Sequence, residues 1–313
     1  MKNSIEILRS GSLSSIQDIK RKNSRIYGIP RSGPMDKKSH ILSNWLIGKD
    51  STEESIEMTL IGSKIKFHFN TYISLCGAKS ECYLNKKKIP MNKVLNIENG
   101  DILNIKKIIN GNWLYLSIAG KIISDSYFHS ISTYEKVKIG ANNGKKLSKG
   151  DFIKFKPLEK KIKREIPKDL INNLNEKIIR IIRGPEYNIF ENQINYFTDS
   201  PFNVSSTSDR MGIRLKRMGE RIDFDVSIKS SPVVEGTVQV PPDGNPIVLM
   251  SDSQTTGGYP RLGVISSVDI SKFAQIKPNE IIKFRFITLD ESIALIDYDL
   301  KKVRSRIGID LIS

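Results

Sequence analysis

Lys64-Ile65-Lys66-Phe67-His68-Phe69 alternates polar and apolar residues one for one, the period of a half-buried β-strand. Ile65, Phe67 and Phe69 therefore share one face. A second stretch, Trp113-Leu114-Tyr115-Leu116-Ser117-Ile118, puts Trp113, Tyr115 and Ser117 on one face and Leu114, Leu116 and Ile118 on the other. Both faces carry apolar residues, which predicts a central strand. Short segments of this kind dominate the chain, so the fold reads as mainly β.

One local pattern recurs in both halves. Gly100-Asp101 precedes Ile102-Leu103-Asn104-Ile105, Gly150-Asp151 precedes Phe152-Ile153-Lys154-Phe155, and Asn279-Glu280 precedes Ile281-Ile282-Lys283-Phe284. Each time a residue tolerant of positive φ makes a turn, an acid follows and a strand begins. The pattern predicts barrel hairpins built alike in two barrel-like domains.

Helices are few and short. After Ser32-Gly33-Pro34, the positions Met35, Ile41, Leu42, Trp45 and Leu46 have helical spacing, and Gly48 supplies a stop. A second helix is predicted from Asn188 to Phe197, a short one capped by Asp269 and running through Phe273 and Ala274, and a last one from Asp290 through Ile307. The segment from Pro157 to Glu176 is highly charged and carries Pro157 and Pro167. It divides the chain into an N-terminal β domain over 1–160, a linker over 161–176 and a C-terminal β domain over 177–313.

The 313 residues suffice for two ordinary cores, with 38% hydrophobic and 27% charged residues. No run approaches the roughly 20 apolar residues of a membrane span, and Met1-Lys2-Asn3-Ser4-Ile5-Glu6 lacks a signal-peptide apolar core. Cys76 lies in an apolar run and Cys82 alternates with it on a strand, as in a cytoplasmic protein with free thiols. His40, His68 and His129 do not pair at ligand spacing, so no metal site is expected. The formal charge of +16 raises nucleic-acid binding. Yet Lys86-Lys87-Lys88 reads as a hairpin turn and the Lys160 to Arg164 run as linker, and neither interleaves aromatic residues for base stacking. Neither nucleic acid nor membrane is an expected partner.

Polar residues that packing does not need gather in four places. The first is Gln17-Asp18 with Arg21, followed by Gly28 through Asp36, where Ser32 and Asp36 lead into a helix start that favours an anion; a rigid connector is the plain alternative. The second is Asp209 to Leu215, where Arg210 is suited to a carboxylate or phosphate, or to a surface ion pair. The third runs from Ser230 to Gly244, with Gln239 on a buried strand and Asp243 in the Pro241-Pro242-Asp243-Gly244 turn. The fourth is Met250 to Pro260, where Asp252, Gln254, Thr255 and Tyr259 offer hydrogen bonds and Gly257 and Gly258 let a ligand approach; a structural loop is the alternative. Gly140-Ala141-Asn142-Asn143-Gly144-Lys145 is not a phosphate loop, because Lys146 replaces the Ser or Thr that holds Mg²⁺. No nucleophile elbow, dinucleotide fingerprint or self-sufficient Ser-His-Asp triad is present.

At these same places the chain resembles the allophanate hydrolase subunit 2 family, also called the biotin-dependent carboxyltransferase family. The likeness runs from about Ile5 to Ile287. It rests on Ser15-Ile16-Gln17-Asp18, Ser32-Gly33-Pro34-Met35-Asp36, Ile56 through Gly62, Arg210-Met211-Gly212-Ile213-Arg214-Leu215, Gly236 through Gly244 and Gln254 through Pro260. Where relatives show Ser-Arg-Ser-Thr this chain has Ser130-Ile131-Ser132-Thr133, losing a candidate anion contact.

The resemblance implies cyclophilin-like barrels and a partnership with two other proteins. One is a subunit 1-type protein, like the B subunit of 5-oxoprolinase or a kinase inhibitor, and the other is the LamB/YcsF-type A subunit. Together such proteins hydrolyse 5-oxo-L-proline to L-glutamate at the expense of ATP with Mg²⁺. On that expectation Arg210, Gln239, Asp252 and Gln254 do the chemistry. Gln17, Asp18, Arg21, Ser32, Asp36, Asp243, Thr255, Gly257, Gly258 and Tyr259 bind substrate or nucleotide. Two alternatives remain: biotin-dependent carboxyl transfer, which needs a separate carrier because the chain has no Met-Lys-Met biotinylation sequence, and a non-enzymatic regulator of a kinase inhibitor.

Overall fold

The computed structural model describes residues 2–158, 164–219, 224 and 226–309. The chain forms two compact units: residues 1–23 with 32–172, and residues 24–31 with 173–312. The short segment 24–31 thus belongs with the C-terminal half.

The first unit contains β1 (Ser4–Arg9), β2 (Leu13–Gln17), α1 (Lys37–Leu46), β3 (Ser55–Thr59), β4 (Lys64–Phe67), β5 (Thr71–Leu84), β6 (Lys87–Ile89), β7 (Val94–Ile97), β8 (Ile102–Ile118), β9 (Gly120–Ile122) and β10 (Phe152–Pro157). Its ten strands make one sheet in the order β2-β3-β8-β4-β1-β10-β9, with β5 also on β8 and carrying β6 and β7. The sheet stays open, in contrast to the two barrel-like domains that the turn pattern predicts. The reason lies in β8, whose 17 residues outrun its partners. Its C-terminal half pairs with β3, its N-terminal end with β4, and β5 takes another edge, so the sheet forks rather than closing. The edges at β2 and β9 are covered. Thr133 and Leu147 donate backbone N–H to Ile16 and Ser14 on β2, and on β9 Lys49 Nζ meets the Gly120 carbonyl at 3.1 Å while the Ile122 N–H meets Glu54 at 2.8 Å.

β8 is as central as its two apolar faces predict. Leu114, Leu116 and Ile118 enter the core with Ile5, Ile7, Ile65 and Phe67. Tyr115 and Ser117 on the other face meet α1 through a buried polar layer. Ser117 Oγ donates to Asn44 at 2.6 Å and lies 2.7 Å from Ser43 Oγ, and the His40 ring packs edge-on against Tyr115 at 5.9 Å. His40 Nδ1 lies 2.7 Å from Ser55 Oγ. Burial, then the charge of Lys49, holds the imidazole neutral and lowers its pKa to about 3.

The second unit contains β11 (Ile178–Arg183), α2 (Ile194–Thr198), β12 (Phe202–Val204), β13 (Gly212–Arg217), β14 (Ser231–Pro232), β15 (Thr237–Gln239), β16 (Ile247–Leu249), β17 (Thr256–Gly257), β18 (Arg261–Ile265), α3 (Ser267–Ala274), β19 (Ile281–Phe286) and α4 (Leu289–Ile307). Seven strands close a barrel in the order β11-β18-β15-β16-β13-β12-β19. The parallel pairing of β11 with β19, Ile178 against Lys283 through Ile181 against Phe286, makes the closure. β14 and β17 form a separate two-stranded ribbon.

The three recurring turns share one construction. Gly100, Gly150 and Asn279 have φ of 97°, 90° and 69°. The carboxylates of Asp101, Asp151 and Glu280 each accept the N–H three residues back, from Glu98, Ser148 and Lys277, all at 2.8 Å. They open strands rather than close hairpins: β19 pairs with β11 and β12, not with the strand before it. The lysine turn is a hairpin, with Asn85 and Lys86 both at positive φ between β5 and β6.

The predicted helices differ in detail. Residues 187–193 form a 3-10 turn before α2, and asparagines at 188, 192 and 195 that compete for backbone groups suit this tighter winding. Asp269 does not cap α3; Ser266 holds that position, and Asp269 sits in the first turn. Its buried carboxylate takes the Arg180 backbone N–H at 2.8 Å and Nε at 2.9 Å. Burial raises the Asp269 pKa, and the Arg180 bonds outweigh it to leave the group below its ordinary value. The last helix follows its expected range, as 19 residues with a Thr288–Glu291 capping box and Gly308 at its stop. Of the Lys160 to Arg164 run only Arg164 is described; it stacks on Trp45 with its guanidinium 4.7 Å from the ring centre. Among the described residues no helix is long and apolar enough to cross a membrane.

Two buried groups in this packing make its stability testable. The folded pKa of His40 lies below its unfolded value of about 6.5, so its contribution is complete above that pH and is lost as pH falls toward 3, with a limiting slope of about 1.4 kcal/mol per pH unit. Both tryptophans, Trp45 and Trp113, lie in the first unit. Urea midpoints from their fluorescence are expected to drop between about pH 6.5 and 5, and His40→Gln to flatten that drop; an unchanged slope contradicts the assignment. In the second unit, Asp269→Asn strands the Arg180 charge and is expected to destabilise by about 3 kcal/mol, read as a lower melting temperature.

Candidate functional site

Two short strands and a returning loop bring a polar cluster together in the second unit. β15 ends at Gln239, and a bulge against β18 falls between Val238 and Gln239. β16 ends at Leu249, and the chain then doubles back through 250–255 into β17. Gln254 Nε2 consequently donates to Gln239 Oε1 at 3.3 Å, and Gln239 Nε2 donates to the Tyr259 carbonyl at 3.2 Å. The Gln239 amide lies against Gly257: a Cβ there would stand 2.5 Å from its Nε2. Gly258 is less confined, with 3.5 Å to the nearest atom.

Arg210 and Asp252 form a second, adjoining group in this loop. Arg210 Nε donates to Asp252 Oδ2 at 2.7 Å and Nη2 to Oδ1 at 3.2 Å, and the Asp252 N–H returns to the Arg210 carbonyl at 2.9 Å. Both side chains are buried. The fork expected to hold a substrate carboxylate therefore already holds Asp252, and the pair works as one charge-compensated brace for the loop. Asp209, the alternative ion-pair partner, caps the β13 turn by accepting N–H bonds from Met211 at 2.8 Å and Gly212 at 3.1 Å. Asp243 likewise serves its own turn, through Asn245.

Several contributors carry no sequence signal. Arg25, from the segment joined to this unit, donates to the carbonyl of Val233 and, at 3.0 Å, of Thr255. Glu186 grips Arg261 at 2.7 and 2.6 Å, and Arg261 Nη1 reaches the Pro232 carbonyl at 2.9 Å, fixing the β14–β17 ribbon. Ser251 Oγ donates to Glu235 at 3.0 Å. The Ser231 hydroxyl is buried and has no hydrogen-bond partner among the described residues. Ser231 pairs directly with Gly257, and directly paired residues project to the same side of a sheet, so this hydroxyl lies on the side where Gln239 covers Gly257. No motif marks Arg25 in the sequence, and Ser231 lies in the polar stretch from Ser230 to Gly244 without standing out there, because the roles of both are set by register and long-range contact.

In the first unit the expected residues are engaged with one another. Gln17 donates to Ser15 Oγ at 3.0 Å and the Thr133 carbonyl at 3.2 Å, and accepts the Gly33 N–H. Asp18 accepts from Ser130 Oγ at 2.5 Å, Ser132 Oγ at 2.6 Å and the Ile131 N–H at 2.7 Å. Arg21 is fully buried and donates to the Ser132 carbonyl. Asp36 caps α1 through Ser39, and Glu57 and Tyr115 take up the N–H groups of Met35 and Asp36. The start of α1 is thus satisfied from within at these groups, as the connector reading has it. Ser32 differs: it is fully buried at φ 54°, and its hydroxyl has no partner among the described residues. A cavity of about 460 Å³ opens elsewhere in this unit, lined by Tyr127, Asn142, Asn143 and Lys154 among others. Residues 142–144 there form a 3-10 turn, not the helix a phosphate loop needs. Burial pushes the Cys76 thiol up and the Cys82 thiol to about 12, so neither is a ready nucleophile.

The carboxyltransferase domain, subdomain A and B, matches residues 27–286. The chain is 33% identical over 291 residues to the C subunit of 5-oxoprolinase from Escherichia coli (strain K12), across 92% of this chain and 93% of that protein. It is 30% identical over 313 residues to urea amidolyase of Saccharomyces cerevisiae, across 93% of this chain and 17% of the yeast protein. The crystal structure of the K. lactis urea amidolyase shares the fold over 100% of this chain and 20% of that one, with TM-score 0.89 at 26% identity. The chain therefore spans about a fifth of the solved enzyme it matches. From the span of the domain match and the extent of these likenesses, the chain belongs to the carboxyltransferase-domain family, homologous to the 5-oxoprolinase C subunit and to urea carboxylase and allophanate hydrolase proteins.

Proposed function

We propose that this chain is the carboxyl-transfer component of a biotin-dependent enzyme acting on a small neutral amide, held at the Gln239–Gln254 recess. The observation that carries the reading is the recess's own hydrogen-bond array. Two carboxamides, each with donor and acceptor, adjoin a buried Ser231 hydroxyl that has no partner among the described residues, and Gly257 makes room for the Gln239 amide beside it. This set complements the N–H and C=O of an amide or ureido group.

The same chemistry suits the planar, neutral ureido ring of biotin, which on this reading arrives on a separate carrier and supplies the activated carboxyl group. A triphosphate fits the recess less well, because Arg210 and Arg261 are bonded to Asp252 and Glu186. Gln239 and Gln254 orient the amide, Ser231 binds it, and Arg210 with Asp252 positions the loop. Thr255, Gly257, Gly258 and Tyr259 line the approach. The urea-processing relative supports an amide substrate. Cytoplasmic location and a cyclophilin-like closed barrel belong to this proposal.

The two-way length match to a bacterial 5-oxoprolinase C subunit favours a second reading. On it the chain joins subunit 1-type and LamB/YcsF-type partners, Mg²⁺-ATP is held largely by those partners, and the neutral lactam of 5-oxoproline occupies the recess. One experiment separates the readings: the chain assembled with the proteins encoded beside it is assayed for bicarbonate fixation onto urea and for glutamate release from 5-oxoproline. Fixation supports carboxyl transfer, and ATP-dependent glutamate release supports the second reading. Equal turnover without this chain, or a stable complex with neither activity, defeats both.

Variants sharpen the site assignment. Gln239→Leu is expected to lower kcat/KM of the assembled enzyme by roughly 10- to 100-fold, measured by initial rates. Ser231→Ala discriminates more finely. Its hydroxyl has no bond to lose among the described residues, so melting temperature is expected to hold or rise while KM increases several-fold. A lower melting temperature with unchanged KM contradicts a binding role.

A further inference from the structure

The last helix presents an unusual outer face. α4 lies beyond the domain match, which ends at 286, and of its 19 residues only Ser292 and Val303 are buried. Asp290, Ile293, Asp297, Tyr298, Lys301 and Arg304 are exposed and recur at intervals of about three and four, so they line one side of the helix. Ile293 and Tyr298 are 48% and 68% exposed, far more than a surface helix needs to leave open. Charge is segregated along the same side, acids toward the N-terminus and bases toward the C-terminus. The helix dipole accounts for such a bias in the first and last turns only, and Asp297 and Lys301 lie mid-helix.

We propose that α4 is a self-association surface through which two copies of this chain pair with their α4 helices antiparallel. An antiparallel partner reverses the charge order, so the acidic half of each helix faces the basic half of the other. The register that sets Asp297 opposite the second copy's Lys301 puts Arg304 opposite Ala294, between Asp290 and Tyr298 of the partner helix. Ala294 and Ser305 are small and allow the backbones to approach. The two tyrosines then meet close to the two-fold axis. The same patch serves both copies, as a two-fold interface requires. A contact between two helices of this length is small for a stable interface, so association in the micromolar range is expected.

Sedimentation velocity of the full chain over a concentration series tests the proposal. The sedimentation coefficient is expected to rise from monomer to dimer, with the midpoint moving to higher concentration in strong salt. Lys301→Glu with Arg304→Glu makes the face wholly acidic, and Asp290→Lys with Asp297→Lys makes it basic in the acidic half. Each double variant is expected to stay monomeric alone, and their mixture to recover a one-to-one dimer. Tyr298→Cys provides a readout independent of charge. Cys76 and Cys82 are buried, so mild oxidation by a copper–phenanthroline oxidant is expected to join two 298 thiols, with Lys86→Cys as an unlinked exposed control. A wild-type chain monomeric throughout, double variants that dimerise like wild type, or a mixture that fails to pair overturns the proposal. So does binding of α4 to a different protein in preference to a second copy.

Discussion

The parallel pairing of β11 with β19 ties the first strand of the second unit to its last strand. The seven barrel strands are thereby held on a closed circuit of backbone hydrogen bonds with no edge strand among them. Closure matters for the recess because β15 and β16 have only three residues each. Strands that short do not hold a register alone. Locked between β18 and β13, they set Gln239 at one strand end and return the 250–255 loop toward it. The first unit solves its edge problem differently, with one long strand and two edges covered by side chains and loops.

Two of the arginines in this region are paired within the fold before any ligand arrives. Arg210 faces Asp252, and Arg261 faces Glu186, so each guanidinium fixes a loop or ribbon instead of drawing an external anion. Such pairs lose hydration when buried and contribute modest net stability, but they impose geometry. On the proposed reading, the groups that meet the ligand are two carboxamides and a hydroxyl beside a glycine. A neutral planar group is the ligand such an array discriminates best, since a partner lacking either its donor or its acceptor leaves a buried polar atom unsatisfied.

Much of this is legible along the chain, and the rest is hidden for physical reasons. Period-two alternation locates β4, and two apolar faces mark β8 as central. Local turn chemistry foretells the three acid-capped turns, because a positive φ and a carboxylate within three residues are local properties. Closure is not local. The same alternation suits an open or a closed sheet, and only the length of β8 against its partners decides that the first unit stays open. Composition singles out Gln239, Gln254 and Gly257, whereas the Arg210–Asp252 bond spans 42 residues and the Arg25 bond to Thr255 spans 230. Ser231 falls within the polar stretch from Ser230 to Gly244, but its lack of a partner among the described residues is not something the sequence displays.

The most direct measurement is the structure of the assembled enzyme with its unreacted amide substrate trapped in place. The account predicts the amide plane within hydrogen-bonding distance of the Gln239 and Gln254 carboxamides, with the Ser231 hydroxyl bonded to it and the Arg210–Asp252 pair intact. Substrate bound elsewhere, with those three side chains as they stand here, contradicts it.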